Sequence, residues 1–177
     1  MAAAKGQILL IVGKDPSTAD LAAKFIQKHN SKATVIGTEG VIPKAVYDKL
    51  GAKERVIGGA NRFETNLNIM KYFKLNTDKL YVANATGDGY ADALVASALA
   101  GRTDSQLILT HTKDSQETKN AIDYIKSIKN DKTEVGLVGG NSVITEEVVD
   151  KIKEVVKEEN IKNPEKPSRP SKPSKTN

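Results

Sequence analysis

The stretch "LYVANATGDGYADALVASALAG", Leu80 to Gly101, decides the fold. An apolar run ends in a turn that carries Gly87 and Gly89, and an alanine-rich run follows. Strand, tight turn and helix in that order is the unit of a parallel sheet covered by helices. The same layout suits three chemistries: a nucleotide cradle, a metal site through Asp88 and Asp92, or a helix packed closely on a sheet.

Each reading makes a demand on the turn. A dinucleotide turn wants Gly-x-Gly-x-x-Gly, so that backbone approaches a pyrophosphate and the helix packs close. Gly87 and Gly89 fit, but Asp92 stands at the third position, where a carboxylate repels phosphate. No Lys-Ser or Lys-Thr follows, so the turn is no P-loop. An oxygen-ligand metal site wants more partners than Asp88 and Asp92. The remaining reading is structural. Asp88 caps the helix by accepting from amides of its first turn. The glycines permit the turn, and Ala91, Ala93, Ala96, Ala98 and Ala100 keep the helix slim. Asp92 is expected to pair with a polar group at the strand ends, with Arg62 as first candidate.

Outward from this stretch, strands alternate with helices. "QILLIV" (Gln7–Val12), "KATVIG", "RVIGG", "KLYVAN", "QLILT" and "TEVGLVGG" read as strands. Between and after them, "DPSTADLAAKFIQKHN", "PKAVYDKLG", "NRFETNLNIMKYFK", the Ala-rich run, "SQETKNAIDYIKSIK" and "ITEEVVDKIKEVVKEEN" read as helices. Asp15, Ser17 or Thr18 caps the first and Pro43 opens the second, with Gly51 as its stop. Phe63, Leu67, Met70 and Phe73 share one face of the third. The alternation predicts an α/β fold, a mostly parallel sheet with helices on both faces.

The chain has 177 residues, enough for one sizeable core. Its apolar content is carried by Ala, Val, Ile and Leu rather than aromatics. The absence of cysteine excludes disulfide scaffolds, thiolate metal sites and thiol nucleophiles. The net charge of +5 is concentrated at one end. From Ile161 onward Lys162, Lys166, Arg169, Lys172 and Lys175 face only Glu165, so the rest is nearly neutral. That balance argues against a nucleic-acid-binding domain. The Pro-, Ser- and Lys-rich segment 161–177 is expected to be an extended tail without fixed structure. No segment is long enough to span a membrane, and "ILLIV" is too short for a signal-peptide core, so a secretion signal would lie outside this chain.

An internal repeat is the most informative feature. "QILLIVGKD" (Gln7–Asp15) matches "QLILTHTKD" (Gln106–Asp114), and "TVIGTEGVIPKAVYDKL" matches "GLVGGNSVITEEVVDKI". Ile36, Gly37, Val41 and Ile42 meet Val138, Gly139, Val143 and Ile144. Asp48, Lys49 and Leu50 meet Asp150, Lys151 and Ile152. The two registers differ by a short insertion. The segment between the copies, from Arg55 to Gly101, occurs once.

"RVIGGANRFETN", "VANATGDGYADALVASALAG", "QLILTHTKD" and "VGLVGGNSVI", in that order, resemble one repeat of the clostridial-type cell-wall-binding repeat 2 family. The resemblance implies residues 5–54 as the second half of one repeat, 55–160 as a complete repeat, and 161–177 as the tail. It implies Toprim-like units, usually three together. It further implies a secreted, Gram-positive cell-surface or S-layer protein anchored without covalent attachment. The ligand expected is an anionic cell-wall polysaccharide or teichoic-acid-like polymer, with neighbouring repeats or self-association as further partners. Two departures stand out. Gln7 and Gln106 stand where the family usually has proline, and the chain holds about one and a half repeats.

Polymer contacts are expected from Lys14, Arg55, Asn61, Arg62, Thr112 and Lys113. Lys14 and Lys113 occupy equivalent loops after equivalent strands, at the edge where open α/β sheets collect ligands. The forks of Arg55 and Arg62 suit phosphate or carboxylate, or else an internal ion pair with Glu64 or Asp92. His29 and His111 lack metal spacing. Ser17, Ser115 and Ser142 lack a nucleophile-elbow context, and no Asp-x-Asp pair of the kind Toprim catalysis needs occurs. No enzyme, cofactor or metal is therefore expected. Three classes stay open: a wall anchor, a structural or oligomerisation module of a longer surface protein, and a Toprim or nucleotide-binding enzyme.

Overall fold

The computed structural model describes residues 1–87, 90–157 and 160–162. Of the expected tail 161–177, Ile161 and Lys162 instead form a strand paired with Val135 and Gly136, while the part from residue 163, like the cap role expected of Asp88 beside Gly89, lies outside the described residues.

Among the described residues there are six strands, β1 (Thr34–Ile36), β2 (Glu54–Val56), β3 (Asn76–Asn84), β4 (Ser105–Thr110), β5 (Glu134–Val138) and β6 (Ile161–Lys162), and six α-helices, α1 (Asp20–Lys28), α2 (Lys44–Lys49), α3 (Arg62–Phe73), α4 (Tyr90–Arg102), α5 (Gln116–Ile128) and α6 (Glu146–Lys153). The strands form two sheets rather than one: β1-β2, and a larger sheet of order β4-β3-β5-β6. All pairings are parallel.

β3 is the central strand and shows why both faces are covered. Side chains alternate across a strand. Leu80 and Val82 enter one core with Leu67 and Met70 of α3, Tyr124 and Ile125 of α5, and Val148 and Ile152 of α6. Tyr81 and Ala83 enter the other, against Ala93, Ala96 and Ala100 of α4. These three alanines are the slim face expected, whereas Ala91 and Ala98 face outward. Gly136 is the register partner of Tyr81 and leaves room for its ring.

The free edge of β4 is closed by a side chain. Asn66 on α3 donates from Nδ2 to the Leu107 carbonyl at 2.9 Å and accepts from the Leu109 amide at 3.1 Å. It thus stands in for a neighbouring strand and blunts an edge that would template further pairing. Gln106 is buried within a polar network, donating to the Leu75 carbonyl and accepting from the Tyr124 hydroxyl. Burial also pushes the Tyr124 phenol upward in pKa.

The N-terminal half repeats part of this plan. A third core joins Ala19, Ala22, Val35, Ile42, Val46 and Leu50. Gly37 and Gly139, matched in the repeat, both take positive φ, +129° and +140°. Each is followed by the same turn, in which Val41 and Ile42 donate to the Thr38 carbonyl as Val143 and Ile144 donate to that of Gly140. β2 closes the side of β1 as β6 closes that of β5.

Two expected elements also differ in the structure. Gln7–Val12 is not a buried strand: among the described residues it pairs with no other strand, and Leu9 is 67% exposed where its counterpart Ile108 is fully buried. The reason is non-local, since the strand equivalent to β3 that would pair with it has no copy in this half. The last helix also stops at Lys153, short of the expected span.

Candidate binding edge of the parallel sheet

Parallel strands deliver all their following loops to one side. Ala85 after β3, His111–Lys113 after β4 and Gly139 after β5 therefore share the carboxyl edge of the large sheet. The start of α3 joins them. Asn61 is its N-cap and accepts from the Phe63 and Glu64 amides at 3.0 and 2.9 Å. Glu64 accepts from the Ala60 amide at 2.8 Å, one residue before the N-cap, and so fixes the entry of the chain into the helix. Asn61 then donates from Nδ2 to Glu117 Oε1 on α5 at 3.1 Å, tying the two helix starts together.

Arg62 leans over the edge. Its Nη1 donates to the Ala85 carbonyl at 2.9 Å, and its guanidinium lies within 6 Å of the Phe63 and Tyr90 rings. Phe63 in turn packs on His111, with ring centroids 5.2 Å apart. His111 is held by its backbone: its amide donates to Thr118 Oγ1, and its carbonyl accepts from Asn84. Its Nδ1 accepts from the Thr112 amide at 2.6 Å, so a neutral ring carries its proton on Nε2.

Lys113 bridges to Glu147 Oε1 in the first turn of α6 at 3.1 Å, and its carbonyl accepts from Lys151 at 2.7 Å. The Glu147 carboxyl is held down to about 2, by its own backbone amide first and also by Lys113. The same contact with Glu147 raises the Lys113 ammonium. Both groups are solvent-exposed, so the pair orients the loop more than it stabilises the fold.

Of the residues expected to contact a polymer, Asn61, Arg62, Thr112 and Lys113 converge on this edge. Arg55 does not. It lies in β2 and donates from both terminal nitrogens to the Gly37 and Ile42 carbonyls at 2.8 and 2.9 Å, with its guanidinium 4.9 Å from the Tyr47 ring centre. Lys14 stands apart, exposed in the loop after Gln7–Val12. The expected ion pairs of these arginines are also corrected. Among the described residues neither Arg55 nor Arg62 pairs with Glu64 or Asp92. Both choose backbone carbonyls, which satisfy a planar fork without a carboxylate. Asp92 instead sits against Gly139, where an added Cβ would lie 3.2 Å from its Oδ2. Gly87 has φ +41°, the left-handed conformation the tight turn requires.

Glu117 and Glu147 are parts of the edge that the sequence reading missed. Their signal is an acid in the first turn of a helix, in "SQET" and "TEEV". Chemically the edge offers hydrogen-bond donors and cations set among aromatic rings. Among the described residues no three His, Asp or Glu side chains converge as metal ligands, and no helix is long and apolar enough to cross a membrane.

Known proteins resemble this chain. The family model of cell wall binding domain 2 (CWB2) matches residues 56–149, just over half the chain. N-acetylmuramoyl-L-alanine amidase LytC of Bacillus subtilis (strain 168) is 29% identical over 160 residues, covering 90% of this chain and 31% of the amidase. The amidase enhancer of the same organism is 31% identical over 152 residues, 83% of this chain and 19% of that protein. Among solved structures, Cwp8 from Clostridium difficile superposes with a TM-score of 0.68 at 26% identity, over 92% of this chain and 27% of Cwp8. The chain thus spans less than a third of each of these proteins.

Proposed function

The chain belongs to the cell wall binding domain 2 family, whose members are non-catalytic anchoring modules of the cell surface, and on that premise we propose that it retains a surface protein on the wall by taking up an anionic secondary polymer along the carboxyl edge of its large sheet. The observation that carries this reading is Arg62. One of its nitrogens is fixed on the Ala85 carbonyl, and among the described residues its remaining N–H groups make no other hydrogen bond. A guanidinium held in this way presents preorganised donors to phosphate or carboxylate.

Thr112, Lys113 and Asn61 stand beside it as further donors. Lys14 is the corresponding cation of the first half, and no partner holds it among the described residues. Arg55 serves the fold rather than the ligand. In the same reading residues 5–54 are the second half of one repeat and 55–160 a complete one. Each unit is Toprim-like, which is supported by an all-parallel sheet whose first strand, β3, lies between the second and third, β4 and β5.

The test is co-sedimentation with Gram-positive walls before and after the anionic polymer is stripped. Retention on intact walls should fall as salt rises, because screening weakens contacts with repeated charges. Equal retention on stripped walls, or retention indifferent to salt, overturns the proposal.

A further inference from the structure

We propose that the groove between Gln7–Val12 and β1 is a strand-acceptor site, and that its occupant is a parallel strand–helix segment of the Leu80–Gly101 type supplied by a neighbouring half-repeat. This proposal is independent of polymer binding.

The complete unit shows what belongs in the groove. There β4 and β5 do not touch each other as partners. β3 lies between them, with Leu80–Asn84 paired to Gln106–Thr110 and Lys79–Ala83 paired to Glu134–Val138. In the first half, Gln7–Val12 stands for β4 and β1 stands for β5, but no strand lies between. The two segments instead line one cavity of about 520 Å³.

The wall of that cavity repeats the seat of β3. Phe25, Ile26, Ile42 and Leu50 line it. Their counterparts by sequence are Tyr124, Ile125, Ile144 and Ile152, which share one core with Leu80 and Val82 of β3. The first half therefore carries the apolar receptor for a Leu-x-Val strand without the strand. Only one side of β1 is open, because β2 already pairs with the other.

The exposed side chains fit the same occupant. Ile8, Leu9 and Ile11 are exposed, Ile11 to 90%. Leu9 matches Ile108, which faces the core of β3. Ile8 and Leu10 match Leu107 and Leu109, which pack with α4. The segment thus presents one row to an incoming strand layer and another to the helix that follows it. A lone strand would leave that second row open, so the proposed occupant is a strand with its Ala-rich helix. Backbone pairing would supply affinity and the apolar seats specificity, as in other strand additions.

The experiment fuses a second copy of residues 55–104 directly ahead of Gly6 and follows amide exchange along the full chain. In the unextended protein, Ile8–Val12 should exchange at least ~100-fold faster than Gln106–Thr110, as unpaired backbone does. In the extended protein both segments should be protected alike, and the melting temperature should rise. A second extended protein carries Val82→Lys in the added copy alone and should lose both effects. Gln106–Thr110 reports in every sample that the original unit is folded. Ile8–Val12 still exchanging fast in the extended protein, with Gln106–Thr110 protected, overturns the proposal. So does protection that survives the lysine. Protection of Ile8–Val12 in the unextended protein that grows with concentration would assign the groove to a second copy of this chain and overturn it as well.

Discussion

Tyr81 lies across Gly136, its register partner on β5: a Cβ added at Gly136 would stand 2.9 Å from Cδ1 of the ring. The contact explains how a bulky aromatic fits beneath an alanine-lined helix. Gly136→Ala should cost about 1–3 kcal/mol as overpacking. Urea unfolding measures it, and a double-mutant cycle with Tyr81→Ala assigns it. Much of the cost should vanish when the ring is gone. An equal cost in both backgrounds would mean that the ring is not what Gly136 accommodates.

Asn66 guards the edge of β4. Replacing it with alanine leaves the Leu107 carbonyl and the Leu109 amide without their partner. The expected loss is about 1–3 kcal/mol, together with faster exchange at Leu109 and a greater tendency to aggregate. Exchange at Leu109 that is unchanged in Asn66→Ala would show that water replaces the amide at no cost.

Arg55 and Arg62 should separate stability from binding. Arg55→Lys cannot bridge the Gly37 and Ile42 carbonyls with one ammonium. It should lower the stability of the N-terminal half by about 1–3 kcal/mol and leave wall retention intact. Arg62→Gln should weaken retention several-fold at low salt. The reverse pattern in sedimentation and thermal melts would exchange the roles given to the two residues.

The Lys113–Glu147 pair predicts an acid response. A carboxyl whose folded pKa lies near 2, below its ordinary 4.5, contributes stability that is complete above about 4.5 and is lost as pH falls toward 2. Lys113, raised by the same contact, contributes below its ordinary 10.5 and loses that contribution only at more alkaline pH. NMR titration should place the Glu147 midpoint near 2 and move it upward in Lys113→Gln. A midpoint near 4.5 in the unaltered protein would show that the loop is not held this way in solution.

Much of the fold was legible because β3, β4 and β5 bring their partners with them. Their apolar runs and the turn at Gly87 are local signals that the structure uses, whereas the caps at Asn61 and Ser115 are local signals that the sequence reading passed over. Gln7–Val12 has the same local signal as Gln106–Thr110 and a different fate, because pairing is decided by what lies alongside. The arginines misled for a related reason. A backbone carbonyl has no letter in the sequence, so the acceptors at Ala85, Gly37 and Ile42 were invisible, whereas Glu64 and Asp92 were in plain view. The candidate edge was partly legible because parallel topology sends every loop after a strand to the same side. Glu117 and Glu147 went unread because an acid at a helix start looks like capping alone.

The pairing of β1 with β2 has a consequence for how such a chain can be divided. On the repeat boundaries proposed above, Glu54–Val56 lies where one unit gives way to the next, yet its backbone is bonded into the ladder of β1, as that of β6 is into β5. The junction is a dovetail and not a hinge. An excision ending at Lys53 would strip β1 of its paired neighbour β2 and withdraw the Arg55 fork from the Gly37–Ile42 turn. A protease should accordingly spare residues 54–56. Shuffling of such units, in the laboratory or by duplication, preserves both neighbours only when the cut falls after Val56, in the loop that leads to Asn61.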